Sequence, residues 1–179
     1  VKTPLIGIIL CGGYSSRMGR DKSMMEIEGE LAYERSVALL ERFCTETYIS
    51  CREDQVPQYE DTKCIVDRYV DIGPMGGIAT ALELHPDHAL LVMAVDLIRM
   101  DFATIEHLVA HRDKQKDITC FRNTHDFFEP LCAIYEPSIK SKVRNLIQAR
   151  SYSLQKLIRN SDCKTLSISD LSAWVNRNE

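Results

Sequence analysis

The chain lacks several patterns that would settle its class at once. Its seven cysteines (Cys11, Cys44, Cys51, Cys64, Cys120, Cys132 and Cys163) are odd in number and contain no C-x-x-C pair. That argues against a zinc ribbon or a disulfide framework and for small buried hydrophobes in a reducing compartment. His107 and His111 stand four apart without the glutamate of a zinc helix, and read as a solvated helix edge. There is no basic surplus: the net charge is −4, and nucleic-acid binding wants a basic face. No apolar run reaches membrane-spanning length, and the start of the chain has no signal-peptide pattern, so the expected location is cytoplasmic and no membrane partner is expected. Repeats, low-complexity tracts and long linkers are absent. The expectation is one domain over residues 1–179, long enough to bury a good core.

Glycine is scarce, at eight residues, yet it gathers in two places. The first is Leu10-Cys11-Gly12-Gly13-Tyr14-Ser15-Ser16-Arg17-Met18-Gly19-Arg20-Asp21-Lys22, reached directly from the apolar run Pro4-Leu5-Ile6-Gly7-Ile8-Ile9-Leu10. A buried strand opening into a glycine loop lets backbone N–H groups approach phosphate oxygens. Arg17 and Lys22 add the full positive charge that amides cannot supply. The spacing fits neither the P-loop nor the dinucleotide fingerprint. The reading is nucleotide phosphate binding by another kind of loop.

The rest of the chain alternates. Helical spacing over 30–44 (Leu31, Val37, Leu40, Phe43) is followed by strand-like 47–51 and 64–66, a helix over 76–84, and a near-continuous apolar run over 89–95. A helix over 101–111 would bury Phe102, Ile105, Leu108 and Val109. Strands follow at 117–121 and 128–135, then a helix from Pro137 to about Ala149, a helix capped by Ser153, and a late strand at 166–168. This order predicts a three-layer α/β/α sandwich with a mainly parallel, Rossmann-like sheet. In such sheets ligands sit beyond the carboxyl ends of the strands. That edge would receive the glycine loop, Asp67 after 64–66 and Asp96 after 89–95. Asp101 is better placed than Asp96 to cap the next helix. Asp96 is therefore the candidate ligand for Mg²⁺, which takes one or two carboxylates plus phosphate oxygens and water.

Leu10-Cys11-Gly12-Gly13, Arg17-Met18-Gly19 and Asp21-Lys22 resemble the MobA-like nucleotidyltransferase signature, L-A-G-G-x-S-x-R-M-G-x-D-K, with Cys11 in place of the usual Ala. Relatives such as the cytidylyltransferases carry Pro-Lys where this chain has Asp21-Lys22, which favours the guanylyl branch. The resemblance implies the nucleotide-diphospho-sugar transferase type of fold. It also implies transfer of GMP from GTP to molybdopterin with release of pyrophosphate, the reaction of molybdenum cofactor guanylyltransferase. Leu10, Cys11, Gly12, Gly13, Arg17 and Lys22 would then hold the nucleotide, and Asp96 would hold Mg²⁺, in Val95-Asp96-Leu97-Ile98 where the family has C-D-x-P. Asp67 followed by Gly73-Pro74-Met75-Gly76-Gly77 is similar to the family's D-x(5–7)-G-P-L-A-G-I, which gives Asp67 a nucleotide contact and Gly77 a close approach. Ser50 falls near a family Asn that touches the nucleotide, and Pro130-Leu131-Cys132-Ala133-Ile134-Tyr135 matches the strand on the acceptor side. Asn176 and Asn178 resemble the family's C-terminal asparagines near the metal and phosphates. Arg17, Lys22 and Asp96 are the expected catalytic residues. GTP, a molybdopterin-type acceptor, and contacts with molybdoenzymes or other proteins of the cofactor pathway are the implied partners. The alternatives are a cytidylyl- or sugar-phosphate nucleotidyltransferase of the same fold, and a non-catalytic nucleotide-binding module.

Overall fold

The first strand sets the frame, because its side chains are wanted on both faces. β1 (Leu5–Leu10) is buried almost throughout, with Leu5 and Ile9 in one apolar layer and Ile6 and Ile8 in the other. The structure, a computed structural model, describes residues 4–12, 21–59 and 61–167. Gly13, Arg17, Asn176 and Asn178 lie outside the described residues.

A 3₁₀ turn at Lys22–Met24 leads into a small antiparallel ribbon, β2 (Glu26–Ile27) and β3 (Glu30–Leu31). The ribbon turns through Glu28 (φ 54°) and Gly29 (φ 89°), two consecutive left-handed residues as a tight hairpin turn requires. It takes the first turn of the expected helix, so α1 runs only over Ala32–Glu41. β4 (Glu46–Cys51) passes through a 3₁₀ turn at Glu53–Gln58 to β5 (Cys64–Val66). α2 (Pro74–Leu84) opens with Pro74 in its first turn behind Gly73 (φ 65°), and β6 (Ala89–Ala94) follows.

Asp101 accepts from the Thr104 amide at 2.8 Å and caps α3 (Phe102–Ala110), as its position predicts. Ile105 and Leu108 are buried as expected, but Phe102 is exposed. Its ring packs at a tilt against Phe43, with centroids 4.9 Å apart, and lies under the Arg42 guanidinium. β7 (Ile118–Arg122) and β8 (Phe128–Tyr135) form a hairpin with a register shift at Cys120/Phe121. The stretch after Pro137 begins as a 3₁₀ turn, Pro137–Ile139, before α4 (Lys140–Gln148). Ser153 caps α5 (Leu154–Arg159), and β9 (Cys163–Ser167) closes the sheet.

The seven strands of the sheet are ordered β5-β4-β1-β6-β8-β7-β9. All the strand pairs are parallel except those of β8, which runs against both β6 and β7. Residues of α1 and α3 cover one face, and residues of α2, α4 and α5 the other. In β6, Leu91 and Met93 join the first layer, and Leu90 and Val92 the second, the period-two partition of a strand covered on both sides. The expected three-layer α/β/α sandwich with a mainly parallel sheet is therefore present. All seven cysteines are free. Among the described residues no helix is long and apolar enough to cross a membrane. Arg112 beyond α3 and Glu136 beyond β8 form a buried pair with contacts of 2.5 and 2.8 Å, tying helix to sheet.

Candidate functional site

Parallel pairing of β5, β4, β1 and β6 brings four strand ends to one edge. There they line a cleft of about 340 Å³. β1 delivers Leu10, Cys11 and Gly12; β4 delivers Ser50 and Arg52; β5 delivers Asp67; β6 delivers Asp96. Backbone bonds continue the sheet into this edge: the Cys11 amide donates to the Ser50 carbonyl at 2.9 Å, and the Asp67 amide to the Cys51 carbonyl at 2.9 Å.

Asp67 is held closely. The Ser50 hydroxyl donates to its Oδ1 at 2.5 Å. Its other oxygen, Oδ2, lies where a side chain on Gly12 would stand: a Cβ there would meet it at 2.6 Å. A Cβ on Gly77 would run into the Ser50 Oγ and would meet Leu10 Cδ2 at 2.8 Å. Gly12 and Gly77 thus leave room for the Ser50–Asp67 pair itself. Burial raises the Asp67 carboxyl above its ordinary value, opposed by the Ser50 hydrogen bond and the nearby Arg52 charge.

On the opposite side of the β1 end, Lys22 Nζ lies 3.5 Å from Asp96 Oδ2, with both side chains about half exposed. A pair that long and that wet contributes at most about 1 kcal/mol. Its significance is the position of the charges: an ammonium and a strand-end carboxylate share the cleft with Gly12. Asp21 does not face the cleft as a free charge. It accepts from the Ser23 amide and hydroxyl and from Gln55, and so fixes the turn that presents Lys22.

Among the described residues that line the cleft, the carboxylates Asp21, Asp67, Asp71 and Asp96 outnumber the cations Lys22 and Arg52. A polyphosphate entering such a cleft calls for further positive charge. Among the described residues no three His, Cys, Asp or Glu side chains gather as a metal cage. An exposed Asp96 suits a hard divalent ion that keeps most of its shell for water and phosphate oxygens. Burial raises the Cys11 thiol well above its ordinary pKa, which disfavours the thiolate that a nucleophile needs.

Leu10, Cys11, Gly12, Lys22, Asp67, Gly77 and Asp96 therefore line one cleft. Leu131, from the strand matched to the acceptor side, also reaches it. The sequence reading did not single out Arg52, Gln55, Tyr59 or the Tyr69–Asp71 rim. Only the strand-end rule, applied to β4, could have pointed to Arg52.

The family model described as MobA-like NTP transferase domain matches residues 7–165. A Synechocystis protein described as a molybdenum cofactor biosynthesis bifunctional protein is 31% identical over 183 residues, covering 99% of this chain and 52% of its own length. The chain thus spans about half the length of that curated relative. Among solved structures, molybdopterin-guanine dinucleotide biosynthesis protein A from Archaeoglobus fulgidus has a TM-score of 0.76 at 22% identity, over 91% of this chain and 83% of the other. A Mycobacterium tuberculosis protein solved in complex with manganese has a TM-score of 0.69 at 14% identity, over 93% of this chain and 89% of the other. These two likenesses are of fold.

Proposed function

Since the chain belongs to the family of MobA-like NTP transferase domains, we propose that it transfers GMP from GTP to a molybdopterin-type phosphorylated acceptor and releases pyrophosphate. One observation carries this reading: Lys22 and Asp96, 74 residues apart in sequence, meet in the cleft that Gly12 also lines. The amides after β1 and the Lys22 ammonium hold the triphosphate. A terminal phosphate oxygen of the acceptor attacks the α-phosphorus in line, the bond to the β-phosphate oxygen breaks, and pyrophosphate leaves. Asp96 would hold Mg²⁺, which supplies charge neutralisation at the phosphate oxygens. Lys22 stabilises the same developing charge, and the fixed strand ends provide orientation. No covalent intermediate on the protein is needed. Arg17, Asn176 and Asn178 remain the expected further phosphate and metal contacts. The same reading places the protein in the cytoplasm, in contact with other proteins of the cofactor pathway.

The test is incubation with Mg²⁺, molybdopterin, and either GTP or CTP, scored for dinucleotide and pyrophosphate. Product with GTP supports the guanylyl reading. Product with CTP alone replaces it with cytidylyl transfer. Nucleotide binding without pyrophosphate release leaves a binding module.

A further inference from the structure

We propose that Gln55, in the 3₁₀ turn after β4, is a positioning residue that clamps the two ends of the glycine loop together and so places Lys22 for the transfer. The inference rests on the nucleotidyl-transfer reading above. Gln55 is 1% exposed and lies 34 residues from Asp21 in sequence. Its Nε2 donates to Asp21 Oδ2 at 2.7 Å and to the Cys11 carbonyl at 3.3 Å. Its Oε1 accepts from the Arg52 amide at 3.1 Å. The orientation of the amide is unambiguous, because a carboxylate and a carbonyl can only accept and a backbone amide can only donate. One side chain thus grips Cys11, where the chain leaves β1, and Asp21, immediately before Lys22.

A second chain of bonds reinforces the first. The Ser23 hydroxyl donates to Asp21 Oδ1 at 2.7 Å, so its contact with the Tyr59 hydroxyl, also 2.7 Å, has Tyr59 as donor. Tyr59 is buried, is edge-on to Tyr33 at 5.1 Å, and neighbours the Cys11 thiol. None of these groups reaches the cleft as a free polar atom except through what it holds. Buried polar groups so fully paired specify one geometry. Here that geometry fixes the turn from which the Lys22 ammonium extends.

The test compares Gln55→Met, which keeps the bulk and removes both donors, with Gln55→Glu. Backbone hydrogen exchange over residues 10–24 is read first, without nucleotide. Faster exchange at the Ser23 and Met24 amides, which donate to Asp21 Oδ1 and to the Asp21 carbonyl, is the expected result in Gln55→Met, and unchanged exchange overturns the clamp. In pyrophosphate release, kcat should fall about 10- to 100-fold, the scale of a small misplacement of a reacting group. The KM for the nucleotide should move much less. Faster exchange with unchanged kcat overturns the positioning role. Gln55→Glu sets a second carboxylate against Asp21, so its kcat relative to wild type should recover as pH falls and the pair takes up a proton; a profile parallel to wild type also overturns it. Should the wild-type protein release no pyrophosphate with any nucleotide, the transferase reading fails, and the exchange experiment still decides the clamp.

Discussion

Lys22 Nζ and Asp96 Oδ2 stand 3.5 Å apart at the mouth of the cleft, from elements that meet only because β1 and β6 are parallel neighbours. The pair is too exposed to support the fold, so its removal separates chemistry from stability. Lys22→Ala should lower pyrophosphate release by about 10²-fold or more, the scale for losing one electrostatic stabiliser. The thermal midpoint should fall by no more than about 2–4 °C, as expected for a wet surface pair. Steady-state kinetics and a melting curve on the same preparation check both.

Gly12 and Asp67 compete for one volume. Gly12→Ala should lower the melting temperature, because its Cβ would stand 2.6 Å from Asp67 Oδ2. In an Asp67→Ala background most of that loss should vanish, since the remaining neighbour, the Cys51 Cα at 3.7 Å, is an ordinary contact. A double-mutant cycle reads the coupling, and additive losses would show that the two residues are independent.

The pH dependence of Asp67 follows from its burial. Its folded pKa lies above the unfolded value of 3.8, so the folded protein binds the proton more tightly than the unfolded chain. The ionised carboxylate therefore opposes folding near neutral pH, and the penalty fades as pH falls through the raised folded value towards 3.8. Asp67→Asn should melt at a higher temperature than wild type at neutral pH, with the gap closing on acidification. Nucleotide affinity should fall in the same variant. Melting curves across pH, paired with nucleotide titrations, check this opposition of stability and binding.

Far from the cleft, Arg112 and Glu136 are 9% and 4% exposed and share two hydrogen bonds. Glu136→Gln should lower stability, because it removes the carboxylate charge that faces a buried guanidinium. Urea unfolding measures it. The kcat of the folded fraction should be unchanged, since neither residue lines the cleft.

Much of the fold is legible in the chain because long apolar runs leave few options. β6 carries six buried residues in succession, as a strand covered on both faces does. Asp67 and Asp96 are legible for a related reason: Asp96 follows the run of β6, Asp67 follows the three residues of β5, and parallel strands point their ends the same way. What resisted reading has no period. β2 and β3 are two residues each, too short for alternation, and only Glu28-Gly29 hints at the turn between them. Phe102 fits the helical stripe by spacing, yet Phe43 and Arg42 engage it at the surface. Gln55 looks like any polar residue of a loop; its contact with Asp21 exists only after β4 and β1 have paired.

The reversed direction of β8 divides the rim in two. On one side every cleft-lining segment follows a strand; on the other, Leu131 belongs to a strand that sets out from the rim and travels away from it. Under the transfer proposed above, a substitution at Leu131 should accordingly change the handling of one substrate while leaving the grip on the other intact.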